Sequence, residues 1–175
     1  MTIHDTHPFL DPESERDPVR RFRGRLGGAV TLWTSGRPDT RPSGLTVSSL
    51  MVAGGEPARV LALLDPDHEL TETLEETGRA VVHLLGWEHR DLADAFAGQA
   101  PAPGGPFRLA EFEETDWGPR LVDAPAWAAV SLEDVRETGW STLVTCVVDD
   151  ATIGADVPTL THRRGRYQRP GDGTA

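Results

Sequence analysis

Small hydroxyl side chains are concentrated in one short segment of the chain, between two apolar, strand-like runs. Thr46, Ser48 and Ser49 lie close to Gly44, and the apolar residues 60–64 follow. A glycine lets a ligand approach the backbone closely, and hydroxyl groups both donate and accept hydrogen bonds. This combination predicts a binding site for a flat aromatic ligand, and a flavin suits it.

The sequence lacks the residues that several other kinds of functional site require. The one cysteine, Cys146, excludes an internal disulfide and any multi-cysteine metal site. The histidines do not have the spacing of a metal triad, and the chain has no G-x-S-x-G, P-loop or post-strand G-x-G-x-x-G motif. We therefore expect no metal, and the residues alone assign no catalytic group.

Charge and hydropathy limit the partners and the compartment. The 175 residues include 17 basic and 28 acidic ones, which gives a net charge of −11. Such a charge repels a phosphate backbone, so we expect no nucleic acid partner. There is no apolar stretch of membrane-spanning length and no targeting segment, so we expect a cytoplasmic protein that does not bind membranes.

Patterning predicts one domain rich in strands. Prolines and charges favour a flexible arm over residues 1–18, a domain over 19–168 and a flexible tail over 169–175. A helix capped by Asp67 should end at Gly78, and a second should cover about 88–97. The expected strands are 29–34, 44–52, 60–64, 80–85, 107–113, 119–122, 126–132 and 141–150.

The loops favour an antiparallel arrangement. The connection 35–42 is too short for a crossover helix, so its two flanking strands should pair antiparallel. The run 60–64 is apolar throughout, which predicts a strand buried on both faces. His83, within an apolar strand, is expected to be a hydrogen-bonded core histidine. Together the elements predict a mainly β protein, an antiparallel barrel with a few peripheral helices.

The order of five segments resembles the flavin reductase-like family, the FMN-binding split-barrel proteins. The segments cover roughly 120 residues. They are Gly28–Thr34, Gly44–Leu50, Glu56–Leu63, Leu74–Leu85 with its Glu-Glu-Thr-Gly sequence, and Leu92–Gly98, which reads Leu-Ala-Asp-Ala-Phe-Ala-Gly.

This resemblance implies a split β-barrel homodimer that binds FMN or FAD, receives hydride from NAD(P)H and feeds a possible partner monooxygenase. It implies flavin contacts from one strand segment and from the turn before the first barrel helix. The implied cofactor-binding residues are Gly44, Thr46, Val47, Ser48 and Ser49 in the strand segment, and Asp65, His68 and Thr71 at the turn.

The chain departs from the family pattern at two functional positions. Where relatives carry a Ser-x-x-Thr turn that grips the flavin phosphate, this chain has the acidic sequence 67–70, so His68, Thr71, loop arginines or the C-terminal arginines would have to compensate. Where reductases often read Gly-Asp-His, it has Trp140. A non-catalytic, dimeric split-barrel protein that binds a flavin or another planar ligand therefore remains the alternative to a reductase.

Overall fold

The computed structural model describes residues 17–169. The predicted arm and tail thus lie almost wholly outside the described residues, although α1 already begins at Pro18. The helices are α1 Pro18–Leu26, α2 Glu69–Thr77 and α3 Arg90–Phe96. The strands are β1 Gly28–Ala29, β2 Thr31–Ser35, β3 Ser43–Val47, β4 Leu50–Ala53, β5 Arg59–Leu64, β6 Arg79–Leu84, β7 Phe112–Thr115, β8 Gly118–Leu121, β9 Ala126–Thr138, β10 Ser141–Ile153, β11 Thr161–Arg163 and β12 Arg166–Gln168.

Seven antiparallel strands form the main sheet, in the order β3-β2-β6-β9-β10-β5-β4. The edge strands β3 and β4 are joined by Ser48 and Ser49 alone. In a flat sheet these edges would be about 29 Å apart at the usual strand spacing. The chain from Val47 to Leu50 reaches at most about 11 Å, so the sheet must curl until its edges meet. The predicted class, mainly β with an antiparallel barrel and few helices, is confirmed.

The inner face of the curled sheet surrounds the main hydrophobic core. Trp33 of β2 lies fully buried at its centre, and Val130, Val144 and Cys146 pack around it. Helix α2 closes one end of this core with Leu70 and Leu74, one turn apart on the same face. Burial also raises the pKa of the Cys146 thiol to about 12, which keeps it protonated and unreactive.

A second core lies on the outer face of the sheet, beneath α3. Leu32 is next to Trp33 and points the opposite way, where it joins Leu92, Phe96 and Leu121. Period-two alternation along β2 thus supplies one side chain to each core, and all five residues of this strand are buried.

His83 ties the outer core together. Its Nδ1 lies 2.8 Å from the carbonyl oxygen of Leu32, and its Nε2 lies 3.0 Å from the backbone nitrogen of Leu121. Because the Leu121 N–H can only donate, Nε2 accepts and the hydrogen is on Nδ1. The prediction of a hydrogen-bonded core histidine is confirmed.

Three expectations about elements were wrong. The segment 44–52 is two strands because the chain passes from one sheet edge to the other at Ser48–Ser49. The run 60–64 is buried on one face only, and Leu63 on the other face is 38% exposed. Residues 106–109 form a 3-10 turn, since Pro106 favours a helical start, and the strand begins only at Phe112.

Within residues 17–169 the longest helices have nine residues, and none is long and apolar enough to cross a membrane.

Protonation of His83 should weaken the fold. Burial lowers the pKa of His83 from 6.5 to about 4, so the unfolded chain binds the extra proton more readily. The stabilisation is present above pH 6.5 and is lost as the pH falls toward 4, by on the order of 3 kcal/mol. Urea unfolding between pH 7 and 4 should show this slope.

In His83→Leu the two backbone partners lose their hydrogen bonds. We expect a loss of about 1–3 kcal/mol for each unpaired group at pH 7, together with a shallower pH slope. A variant as stable as the wild type at pH 7, with the same slope, would contradict this assignment.

Candidate functional site

The Ser48–Ser49 connection opens onto a surface groove of about 570 Å³, here called the serine groove. Its volume is within the usual range for cofactor and small-molecule sites. It is lined by α1, the connection itself and residues of the strands β1, β4, β5, β10 and β11. Its lining residues include Arg20, Arg23, Ser48, Ser49, Leu61, Leu63, Leu143 and His162.

One polar wall of the serine groove is fixed by hydrogen bonds. Arg23 of α1 donates from Nη2 to the hydroxyl oxygen of Ser49 over 2.9 Å. The backbone nitrogen of Leu63 donates to the carbonyl oxygen of Ser49, also over 2.9 Å, which holds the connection against β5. Ser48 is exposed and its hydroxyl faces no such partner among the described residues. The groove therefore offers a guanidinium and a hydroxyl at fixed positions.

The apolar side of the serine groove comes from the outer face of β5 and from β4. Leu61 and Leu63 point away from the barrel core, and Met51 of β4 is 66% exposed. This explains why β5 is apolar on both faces. One face packs the core, and the other forms an apolar surface along the groove.

Two of the predicted contact residues face the protein interior. Thr46 donates its hydroxyl hydrogen to the carbonyl oxygen of Ala93 over 2.7 Å and so fixes α3 to β3. Val47 is 4% exposed and belongs to the barrel core. Among the five predicted strand residues, Ser48 and Ser49 line the serine groove.

Gly44 lies at the other end of β3, against an aromatic cluster. A Cβ at this position would be 2.6 Å from Cε1 of Phe96, and Phe107 packs edge-on against Phe96 at 4.9 Å between ring centroids. A side chain at Gly44 is therefore excluded by the fold itself.

The turn before α2 uses its polar groups internally. His68, not Asp67, is the N-cap, and its Nδ1 accepts from the backbone nitrogen of Leu70 over 3.0 Å. Asp65 accepts from the nitrogen of Asp67, and Thr71 donates to the carbonyl oxygen of Asp65. The expected Asp67 cap was wrong because the carboxylate of Asp65 already holds that turn.

The surface beside this turn is acidic. It forms a hollow of about 510 Å³ whose lining includes Asp67, Glu72, Glu75 and Glu76. The N–H of Leu70 is already capped by His68, and four carboxylates line this hollow, so the field there disfavours an anion.

Gly44 and His68 come together in a second pocket, of about 380 Å³, here called the arginine pocket. It lies between the start of β3, the start of α2, the end of α3 and the 104–108 loop. The polar side chains in its lining are Arg41, Ser43, His68, Glu69 and Arg108.

Trp140 stands at the tip of the β9–β10 hairpin and is 97% exposed. The preceding Gly139 has φ +60°, a conformation that suits a tight two-residue turn. Trp140 is not part of the lining of either pocket.

The sequence patterns assigned no site role to several lining residues. Leu61 and Leu63 were expected to lie in the core, on a strand buried on both faces. Arg23 carried a usable signal, because it belongs to a run of four arginines next to the first strand in an acidic chain. Arg108 had no local signal. Within residues 17–169 there is no cluster of three or more potential metal ligands.

Gly44→Ala should destabilise the protein, because its methyl group would overlap the ring of Phe96. We expect a loss of about 1–3 kcal/mol in the free energy of unfolding, measured with urea. Gly24→Ala is the matched control, because a Cβ there meets nothing within 4 Å. Equal stability of the two variants would contradict the packing described here.

Similar sequences are named as reductases. An FMN reductase (NADH) RutF from Ancylobacter novellus is 26% identical over 157 residues, covering 89% of this chain and 86% of the relative. The reductase component of 4-nitrophenol 4-monooxygenase/4-nitrocatechol 2-monooxygenase from Rhodococcus opacus is 27% identical, covering 87% and 80%.

Solved structures share the fold. The NADH:FAD oxidoreductase SgcE6 of Streptomyces globisporus superposes with a TM-score of 0.80 at 22% identity, covering 99% of this chain and 97% of that one. A flavin reductase domain protein from Arthrobacter sp. FB24 gives 0.78 at 21% identity, covering 90% and 96%. The family profile described as "Flavin reductase like domain" matches residues 23–171. The chain therefore belongs to the flavin reductase-like family.

Proposed function

We propose that the protein is an NAD(P)H-dependent oxidoreductase that uses or reduces FMN or FAD, with the flavin ring in the serine groove. The observation that carries this proposal is the groove itself, where an apolar surface of Leu61 and Leu63 faces the polar pair Arg23 and Ser49 next to Ser48. Family membership and the reductase names of the relatives support it.

The residues of the groove fit a flat ring that approaches the backbone closely. A Cβ at Gly28 would lie 3.1 Å from the carbonyl oxygen of Ser48, so a side chain there would crowd that carbonyl where α1 leads into β1. Gly27 before it has φ +65°, which glycine adopts readily. These two residues keep the wall beside Ser48 free of side chains.

A bound flavin would supply the hydride chemistry, and the chain would hold and orient it. Ser48 and Ser49 would provide hydroxyl and backbone contacts to the polar edge of the ring. The guanidinium of Arg23, held on Ser49, would place a positive charge beside that edge. Leu61 and Leu63 would exclude water from one ring face.

A partner monooxygenase and a cytoplasmic location accompany this proposal. Two relatives are named as reductase components of monooxygenases, that of Rhodococcus opacus and that of a 4-hydroxyphenylacetate 3-monooxygenase from Pseudomonas aeruginosa. A protein of this kind would hand reduced flavin to a separate oxygenase. NAD(P)H is available in the cytoplasm, and the buried thiol of Cys146 suits that compartment.

The alternative function is flavin binding without oxidation of a nicotinamide. Trp140 favours it, because the sequence has this residue where reductases of the family often carry a histidine. An indole can stack on a ring but cannot donate as an imidazolium does.

We also propose a homodimer that covers the exposed apolar side chains near the groove. Val52 of β4 is 69% exposed, and β4 is an edge strand of the sheet. Val19, Phe22 and Leu26 lie exposed along α1, which borders the same groove. Exposed apolar side chains on an edge strand and on a neighbouring helix are typical of an interface.

The purified protein should oxidise NADH or NADPH when FMN or FAD is added. In Ser48→Leu the bulky side chain should fill the serine groove and weaken flavin binding at least about tenfold, because ring and leucine would occupy the same space. The loss of NADH or NADPH absorbance measures turnover, at a flavin concentration that saturates the wild type. Quenching of flavin fluorescence measures flavin binding.

Thr152→Leu is the control, since it places the same leucine side chain at an exposed position on β10 outside the groove. Absence of turnover with both flavins and both nicotinamides would reject the enzyme, and flavin binding in that protein would support the alternative. Undiminished flavin affinity in Ser48→Leu would place the ring elsewhere.

Val52→Glu should convert the dimer into monomers, because it puts a charge into the apolar interface. Sedimentation equilibrium measures the mass of each form. Leu109→Glu serves as the control, because Leu109 is also exposed, at 49%, but lies away from β4 and α1. A wild-type protein that sediments as a monomer of 19.0 kDa would reject the proposed dimer.

A further inference from the structure

A further pocket, of about 490 Å³, lies beside the start of α3 and is here called the histidine pocket. Its lining comes from the 3-10 turn before α3, from α3 itself, and from the segments that lead into β7 and out of β8. None of its lining residues belongs to the serine groove or to the arginine pocket. The histidine pocket is therefore a separate site.

His89 gives this pocket a buried hydrogen-bond donor without a partner. The residue is 5% exposed, and its Nδ1 accepts from the backbone nitrogen of Gly86 over 3.0 Å. Because that N–H can only donate, the ring carries its hydrogen on Nε2. Nε2 is buried and makes no hydrogen bond among the described residues, although Oδ1 of Asp123 lies 3.4 Å away. Buried donors without a partner are uncommon, and this one can serve an acceptor atom from outside the chain.

Carboxylates surround this donor. The pocket lining contains Glu88, Asp91, Glu111 and Asp123, and it contains no arginine. Asp91 has an arginine partner, because Nε of Arg90 lies 3.5 Å from its Oδ1. The other three carboxylates form no ion pair with an arginine within residues 17–169, and the chain has no lysine. The field in the pocket therefore favours a cation.

The arrangement does not suit a metal ion. Nδ1 of His89 is occupied by the N–H of Gly86, and Nε2 carries a hydrogen, so neither ring nitrogen has a lone pair for a metal. The carboxylates do not converge either, since the described part of the chain holds no group of three or more potential metal ligands. A matching ligand combines a positive charge with a hydrogen-bond acceptor.

The pocket is open and partly apolar. Leu109 and Val122 in its lining are 49% and 39% exposed. The side chains of Glu88 and Asp123 are 63% and 69% exposed. A small-molecule site usually buries about 70–90% of its ligand, which so open a rim does not favour. The site better suits one side chain of a longer segment that continues into solvent.

We propose that the histidine pocket binds an arginine or lysine side chain on an extended segment of another protein. The cationic group would lie between the carboxylates of Glu111 and Asp123. A backbone carbonyl of the same segment would accept from Nε2 of His89. The alkyl stem of the basic side chain would pack on Leu109 and Val122. This site goes beyond the proposed function and requires no bound flavin.

The test uses two blocked peptides that differ in one charge, acetyl-Ala-Leu-Arg-Ala-Gly-amide and the same peptide with citrulline in place of arginine. Dissociation constants are measured on the full-length protein by NMR, from the ¹H–¹⁵N shifts of residues 86–92 and 109–123. We expect the arginine peptide to shift these signals and to bind about fivefold more tightly than the citrulline peptide at low salt. High salt should reduce this advantage, because the carboxylates are exposed.

Substitutions of the rim separate local from overall charge. Asp123→Asn and Glu111→Gln each remove one carboxylate and should weaken binding of the arginine peptide about threefold. Glu137→Gln is the matched control, because it removes the same charge from an exposed position on β9 outside the pocket lining, and it should leave the affinity unchanged.

His89→Asn tests the buried donor. The amide oxygen of asparagine can still accept from the nitrogen of Gly86, but nothing replaces Nε2. We expect the arginine peptide to bind about fivefold more weakly to this variant. Butylguanidinium, which is the arginine side chain without a backbone carbonyl, should bind it as well as it binds the wild type. Asp123→Asn should weaken both ligands.

Several outcomes would overturn the proposal. It is wrong if the arginine peptide leaves the pocket signals unchanged, or if the citrulline peptide binds equally well. If Glu137→Gln weakens binding as much as Glu111→Gln, the mean charge of the protein attracts the peptide and the pocket is not the site. If His89→Asn weakens both ligands alike, the histidine has only a structural role and the proposed carbonyl contact is wrong.

The choice of a protein segment as the ligand has its own test. If butylguanidinium binds the wild type as tightly as the arginine peptide, the pocket takes a small organic cation and the proposed partner is wrong. None of these measurements uses a flavin or a nicotinamide. Failure of the proposed function would therefore leave this inference standing, and failure of this inference would leave the proposed function standing.

Discussion

The two-residue connection between β3 and β4 is the constraint on which the rest of the structure depends. It joins the opposite edges of a seven-stranded sheet, so the sheet has to curl, and the curl encloses the core around Trp33. The same closure brings the exposed faces of β4 and β5 next to α1. The barrel and the serine groove thus both depend on one short piece of chain, the connection formed by Ser48 and Ser49.

Electrostatics divides the surface around that groove into regions of different sign. The strongly acidic chain places carboxylates beside α2, where Asp67 and Glu72 line a hollow. Its arginines are concentrated elsewhere, with Arg23 at the serine groove and Arg41 and Arg108 at the arginine pocket. Such separation lets a negatively charged protein present local positive sites to an anionic cofactor while its mean field disfavours polyanions.

The sequence predicted most of the strands and the antiparallel pairing of β2 with β3, because β-rich runs and a loop too short for a crossover helix are visible in the residues themselves. It placed Ser48 and Ser49 in a ligand site, and the structure puts both in the lining of a groove. It could not show that 44–52 is two strands, because the chain passes from one edge of the sheet to the other without any residue type that would indicate the break. The cap of α2 also escaped prediction, since Asp65, Asp67 and His68 are all capable of it and only the turn geometry selects His68. The arginine pocket joins residues more than sixty positions apart, and such proximity exists only once the chain has folded.

Trp140 gives the protein a built-in optical reporter. Its indole is almost fully solvated at the hairpin tip, whereas Trp33 is sealed in the barrel core. The two side chains therefore experience very different polarity, and of the five tryptophans Trp140 is the one at the hairpin tip, where contact changes its surroundings. Binding of another molecule at that tip, including a second subunit or an oxygenase, would change the tryptophan fluorescence of the protein, so no label would be needed to detect it.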